Sequence, residues 1–160
     1  MKRIIIIGAS SGLGYGITED FAQMGWKVGI AARREEPLKE LCQKYPDNIC
    51  YETIDVTADD ATEKMLSLIN SNGGMDTLLL ASGIGKQNPD LQNDIDTRTT
   101  LTNVVGFTRI VDAAFNYFKA EKKAGHIAVI SSIAGTKGLG VAASYSASKR
   151  YQYIYIDALE

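Results

Sequence analysis

The chain has 160 residues, 45% of them apolar and 22% charged, a balance that fits one ordinary globular domain and excludes a disordered tail, a collagenous chain or a coiled coil. Its 17 basic and 19 acidic residues leave a formal charge of −2, so no basic field exists to recruit nucleic acid or an anionic membrane. Two cysteines, Cys42 and Cys50, with the single histidine His126, make neither a disulfide framework nor a metal site, and read as half-buried thiols in a reducing compartment.

The opening Met1-Lys2-Arg3 is followed by an apolar run that ends at Gly8, too short for a signal peptide, and no stretch reaches the length of a membrane span. A cytoplasmic protein is expected. Ile4, Ile5, Ile6 and Ile7 carry no polar alternation, so they predict a strand buried on both faces. A glycine-rich turn follows, and helical spacing then sets Leu13, Ile17, Phe21 and Met24 on one apolar stripe that ends at Gly25. Residues 26–32 predict a second strand. Residues 35–45 predict a helix with Leu38, Leu41 and Cys42 facing inward and Pro46 as its stop. A third strand spans 49–54. A helix over 58–70 sets Met65, Leu66 and Ile69 on one side and closes at Gly73-Gly74. Residues 77–81 form a fourth buried strand, and 87–94, with Pro89, a surface loop. Residues 95–123 form one long helix or two short ones, broken by Gly125 before a fifth strand at 126–130. A glycine-rich loop over 134–141 leads to a last helix from about Ser144, with Ile154, Ile156 and Leu159 on its buried face. This alternation predicts an α/β fold, a doubly wound parallel sheet with helices on both faces.

Gly8, Gly12 and Gly14 sit directly between the first strand and its helix. Glycines there permit a sharp turn, close backbone approach to a pyrophosphate and tight helix–strand packing, while the helix N-terminus offers unpaired N–H groups to phosphate. An ordinary βα turn is the plainer reading, but the position favours a nucleotide. The second strand ends Ala31-Ala32-Arg33-Arg34, with no carboxylate to bind a ribose 2′-hydroxyl. A guanidinium forks onto a phosphate, so Arg33 points to NADP over NAD, unless the arginines are a solvated pair near Glu35 and Glu36. Asp55-Val56 closes the third strand, where Asp55 either accepts from an adenine amino group or caps the next helix.

Tyr145 and Lys149 lie four apart on the last helix and share a face, while Ser132 ends the fifth strand at the same edge of the sheet. With the glycine loop, Asp55-Val56, Asn103 with Gly106, Ser131-Ser132 and Tyr145 to Lys149 in this order, the sequence resembles the short-chain dehydrogenase/reductase family, in its smaller single-domain branch. The resemblance covers essentially the whole chain. It implies a Rossmann-like fold, an NAD(P)-dependent oxidoreductase and a homo-oligomer acting on a small carbonyl or alcohol. It places the cofactor on Gly8, Ser10, Ser11, Gly12, Leu13, Gly14, Arg33, Asp55, Val56, Ala81 and Gly83, with Tyr145 and Lys149 at the nicotinamide end.

The chemistry asks for these residue types. Hydride transfer to a carbonyl builds charge on oxygen, so Tyr145 is the acid for reduction and, as phenolate, the base for oxidation. The Lys149 ammonium stabilises that phenolate. By resemblance, Lys149 also binds the nicotinamide ribose, Ser132 holds the substrate oxygen, and Asn103 holds a water that relays protons to Lys149. A second reading makes Asn103 a helix-kink residue bonded to backbone.

Two features depart from the family pattern. Where Asn-Asn-Ala-Gly commonly follows the fourth strand, this chain has Leu80-Ala81-Ser82-Gly83, so the asparagine bonds that steady the sheet must be replaced or absent. The sequence also ends near the last helix, where family members continue with a sixth strand, a Pro-Gly turn, a substrate-covering segment and a seventh strand. About five of seven strands are therefore expected over 1–160, with an open sheet edge, impaired activity and a tendency to dimerise. Alternatives are a non-catalytic nucleotide-binding module and a different chemistry, epimerisation or dehydration, on the same scaffold.

Overall fold

The four isoleucines of the first strand divide between two cores, and that division organises the molecule. The structure, a computed structural model, describes residues 2–159. Strand β1 (Arg3–Ile7) lies at the centre of a five-stranded sheet with β2 (Lys27–Ala32), β3 (Ile49–Thr53), β4 (Thr77–Leu80) and β5 (His126–Val129). The order is β3-β2-β1-β4-β5 and every pairing is parallel. Ile5 and Ile7 pack with residues of α3 (Ala61–Ser71), α5 (Phe107–Ala120) and α6 (Ala143–Asp157). Ile4 and Ile6 face the other way, onto the side of α1 (Gly12–Gln23) and α2 (Glu35–Lys44). All four isoleucines are at most 1% exposed, as a strand covered on both faces requires. The doubly wound α/β sheet is therefore as expected.

The register brings the carboxyl ends of the strands level: Ile7 pairs with Ala31 and Leu80, and Leu80 with Val129. Sequence order reverses at β1, between β2 and β4, which opens a crevice above those ends.

Three helix faces differ from the expected stripes. On α1, Leu13 and Met24 are exposed, and Gly14, Thr18 and Ala22 are buried instead. The cause lies at Gly14: a β-carbon there would stand 2.3 Å from the Gly8 carbonyl oxygen, so the helix rests on the turn through bare backbone and rotates its small residues inward. On α3, Leu68 is buried with Met65 and Ile69, while Leu66 is exposed. On α6, Ile156 and Leu159 pack against the core and Ile154 is exposed.

The expected long helix is α4 (Asn93–Thr100) running into α5 through a π-helical segment, Leu101–Gly106. A β-carbon at Gly106 would stand 2.5 Å from Val56 Cγ2, so this segment packs directly on the residue after Asp55. Cys42 and Cys50 are half-buried free thiols, with burial pushing Cys42 up to about 11 and Cys50 upward as well, the state of unreactive cysteines. Among the described residues, no helix is long and apolar enough to cross a membrane.

Candidate active site

The turn after β1 is shaped by one glycine. Gly8 has φ +98°, and a β-carbon there would meet the Ser82 backbone nitrogen at 2.5 Å. Only a residue without a side chain lets the two strand ends close so tightly. Backbone bonds from Ala81 N–H to the Ile7 carbonyl (2.8 Å) and Ile130 N–H to the Leu80 carbonyl (3.0 Å) join this end of the sheet where the family's asparagines are missing. Ser11 is the N-cap of α1 but makes no side-chain cap, and the first turn carries no acid. The N–H groups of that turn are thus left without an internal acceptor, beside a favourable partial positive charge.

Above the turn lies a cavity of about 340 Å³ at the carboxyl ends of β1 to β4. Gly8, Ser10, Ser11, Arg33, Asp55, Val56, Ala81 and Gly83 all line it, as do Arg34 and Ser82, named in the sequence but given no role, and Ile84 and Thr102, which sequence reasoning passed over. Gly12 and Gly14 are not in its wall; Gly14 supports the turn from below. Arg34 donates from Nη2 to both the carbonyl oxygen and Oγ of Ser10, each at 3.2 Å. The second arginine of the pair is therefore the one bonded to the glycine turn, while Arg33 lines the cavity. Asp55 Oδ1 accepts from Thr57 N–H (2.9 Å) and Oγ1 (2.7 Å). Burial raises the Asp55 carboxyl, but the Thr57 bonds and the Arg33 charge outweigh it and hold it below the usual range. Asp55 closes a turn and does not cap α3, whose N-cap is Asp60.

A second cavity, of about 550 Å³, joins the first along Ala81, Gly83 and Ile84. Its wall includes Leu13, Ser131, Leu139, Tyr145 and Lys149. The exposed Leu13 thus sits at the Tyr145 end of the groove. Helix α6 presents Tyr145 and Lys149 together, with Lys149 Nζ 5.9 Å from the centre of the tyrosine ring. Lys149 is 5% exposed and donates to the Ile130 carbonyl and to Gln152 Oε1, both at 3.1 Å. Burial pushes its ammonium below the ordinary lysine range.

Asn103 is fully buried in the π segment. Its Oδ1 accepts from Ile84 N–H (2.9 Å), and Nδ2 donates to the Ile84 carbonyl (2.7 Å) and to Ser148 Oγ (3.0 Å). The side chain thus bonds backbone, as the kink-residue reading expects. Asn103 and Lys149 are linked through Gln152, whose Nε2 donates to the Asn103 carbonyl at 2.9 Å. The Gln152 amide thus bridges the Asn103 carbonyl and the Lys149 ammonium.

Ser132 accepts from Ala134 N–H at 3.2 Å, capping a short 3₁₀ turn, while Ser131 is the serine in the cavity wall. Two further residues were missed. Gly85 lies against Tyr145, and Gln152 bonds Lys149; both positions carried a signal only as neighbours, one loop or one helical turn away, of residues already singled out.

A profile of the short chain dehydrogenase family matches residues 2–155. An uncharacterised oxidoreductase of Mycobacterium tuberculosis is 35% identical over 157 residues, covering 92% of this chain and 62% of that protein. The chain therefore spans less than two thirds of that relative's length. Serine dehydrogenase from Escherichia coli superposes with a TM-score of 0.90 at 28% identity, over 98% of this chain and 74% of that one. A closed form of serine dehydrogenase complexed with NADP+ gives 0.91 at 28% identity, over 98% and 64%.

Proposed function

The chain belongs to the short-chain dehydrogenase family, and on that premise we propose that it is an NADP-dependent oxidoreductase that interconverts a carbonyl and an alcohol by hydride transfer, with Tyr145 as acid and base. The observation that carries this reading is the continuity of the groove: the glycine-turn cavity runs through Ala81 and Gly83 into the cavity of Tyr145 and Lys149. A dinucleotide is the ligand class whose two ends such a groove separates.

The residues fit the cofactor. The bare backbone of Gly8 and the uncapped first turn of α1 suit a pyrophosphate. Arg34 with Ser10, and Arg33 beside them, suit a 2′-phosphate, and the NADP+ in the serine dehydrogenase neighbour supports this choice. Asp55 and Val56 line the adenosine end, while Leu13, Tyr145 and Lys149 line the nicotinamide end. When bound, the reduced nicotinamide supplies a hydride.

Tyr145 gives its phenolic proton to the carbonyl oxygen as charge develops there, and takes it back in the reverse direction. Lys149, positively charged and held by Gln152 and the Ile130 carbonyl, favours the phenolate. Ser132, the cap of the 3₁₀ turn after β5, accepts from Ala134 N–H and keeps its own O–H free to donate to the substrate oxygen. Asn103 fixes Ile84 and Ser148 of α6 relative to one another.

The test is a pair of measurements on purified protein: NADPH and NADH affinity, and NADPH consumption over a panel of small carbonyls. Tyr145→Phe is expected to abolish turnover while leaving NADPH affinity within about twofold, since only the proton donor is removed. A variant that turns over normally would overturn the role of Tyr145. Equal affinity for NADH and NADPH would overturn the cofactor assignment.

A further inference from the structure

The cavity that Tyr145 lines has two facing walls, residues 84–87 after β4 and residues 139–142 before α6. The chain leaves one wall at Asn88, and Val141 stands between Gly140 and Ala142 of the other. Asn88 N–H donates to the Val141 carbonyl at 2.6 Å, so the walls are tied together at that end.

Asn88 is suited to this by burial and by its own bonds. It is 3% exposed, and both polar atoms of its side chain are taken by one residue. Oδ1 accepts from Gln92 N–H at 2.8 Å, and Nδ2 donates to the Gln92 carbonyl at 2.9 Å. This closes residues 88–92 into a rigid loop at the N-terminus of α4. Leu91 within it has φ +51° and Val141 has φ +57°, conformations that bulky and β-branched side chains hold only when their surroundings over-determine them.

The connection continues from α4 to α6. The Asp96 carboxylate lies beside the side chains of Asn88 and Ser144, which hold it below the usual carboxylate range. Its Oδ1 is enclosed and has no hydrogen-bond partner among the described residues. Ser144 belongs to the first turn of α6, whose N-cap Ala142 has no capping side chain, and Tyr145 is the next residue. A carboxylate at that position favours the helix N-terminus. Leu139 N–H donating to Ser146 Oγ at 3.0 Å ties the same loop to the same turn.

We propose that Asn88 and Asp96 are positioning residues: together they fasten both walls of the cavity and the first turn of α6 into one frame that sets where Tyr145 stands. The inference rests on Tyr145 being the acid/base group. Nothing in the frame touches the reacting atoms; it acts through Tyr145.

The experiment combines hydrogen exchange with kinetics on the wild type, Asn88→Ala, Asp96→Asn and Tyr145→Phe. Asn88→Ala is expected to speed exchange over residues 137–145 while leaving β1 and β4 unchanged. It should lower kcat by about tenfold or more with NADPH affinity unchanged, since small misplacements of a reacting group are costly. Asp96→Asn, which keeps the shape and removes the charge, should act in the same direction with smaller effect, and serves if Asn88→Ala does not fold. Unchanged exchange over 137–145 in the folded variants, or unchanged kcat where that segment has loosened, would overturn the proposal. Turnover retained by Tyr145→Phe would instead overturn the acid/base reading, and the exchange data would still decide whether the frame exists.

Discussion

The ring of Tyr145 lies so close to the backbone of Gly85 that a β-carbon there would stand 2.7 Å from Cδ2 and 2.8 Å from Cε2. The glycine is a floor for the tyrosine, and the ring has no slack on that side. Gly85→Ala is therefore expected to push the ring away. Overpacking of this kind costs about 1–3 kcal/mol of folding stability, and displacing the proton donor should lower kcat by about tenfold. Steady-state kinetics with NADPH titration should show kcat falling and cofactor affinity unchanged, because Gly85 is outside the glycine-turn cavity.

The two arginines after β2 should separate in their effects. Arg34 already donates from one nitrogen to two oxygens of Ser10, and a hydrogen bond to a charged group is worth roughly 1.5–3 kcal/mol. Arg34→Ala should weaken NADPH binding by about tenfold and leave NADH binding unchanged, on the same arithmetic. Arg33→Ala should also weaken NADPH binding, and by less. Fluorescence titration of both nucleotides against both variants gives the ranking directly; equal losses for NADH and NADPH would indicate damage to the loop and not a lost phosphate partner.

Lys149 carries a stability consequence with a definite sign. Burial lowers its folded-state pKa below the value in the unfolded chain, so the native state gives up the proton first as pH rises. In that alkaline window the unfolded chain binds more protons, and stability rises with pH; at neutral pH the wild type bears the full cost of the buried ammonium. The stability difference between wild type and Lys149→Met should shift in favour of the wild type as pH climbs toward the ordinary lysine value of about 10.4. Denaturant unfolding of both proteins at several alkaline pH values checks this, and a flat difference would contradict it.

Helix α6 is also fastened on its far side. Tyr155 bonds Asp112 Oδ1, and that bond pushes the phenol up to about 12. Tyr151, stacked on Tyr155 with ring centres 5.5 Å apart, bonds Thr108 at 2.8 Å. Both rings meet the edge of the buried Phe107. Tyr155→Phe keeps the ring and loses the bond, so it should lower unfolding free energy by about 1 kcal/mol, discounted for a half-exposed pair. Urea unfolding with an unchanged m-value would read this out.

Much of this is legible in the sequence. The unbroken isoleucine run specified a strand covered on both faces, and Gly8, Tyr145 and Lys149 marked the two ends of one groove. What escaped were relations that periodicity does not encode. The rotation of α1 follows from a backbone contact at Gly14, not from the placement of Leu13 and Met24. Arg33 and Arg34 are equivalent as neighbours in sequence, and only the end of β2 decides which reaches Ser10. Asn103 could be read as a kink residue, but its backbone partner, Ile84, lies on a different segment and not on its own helix. Asn88 looked like part of a polar surface loop, whereas it is buried because its amide completes that loop from within.

The proposed reaction passes hydride from a nicotinamide to a carbonyl carbon beside Tyr145. Reduced cofactor deuterated at the transferring position, incubated with the purified protein and a small ketone, tests it most directly by mass spectrometry of the product. The expected product is an alcohol carrying deuterium on the former carbonyl carbon, with none above background for Tyr145→Phe. Product formed without deuterium, or no cofactor consumed although NADPH binds, would contradict it.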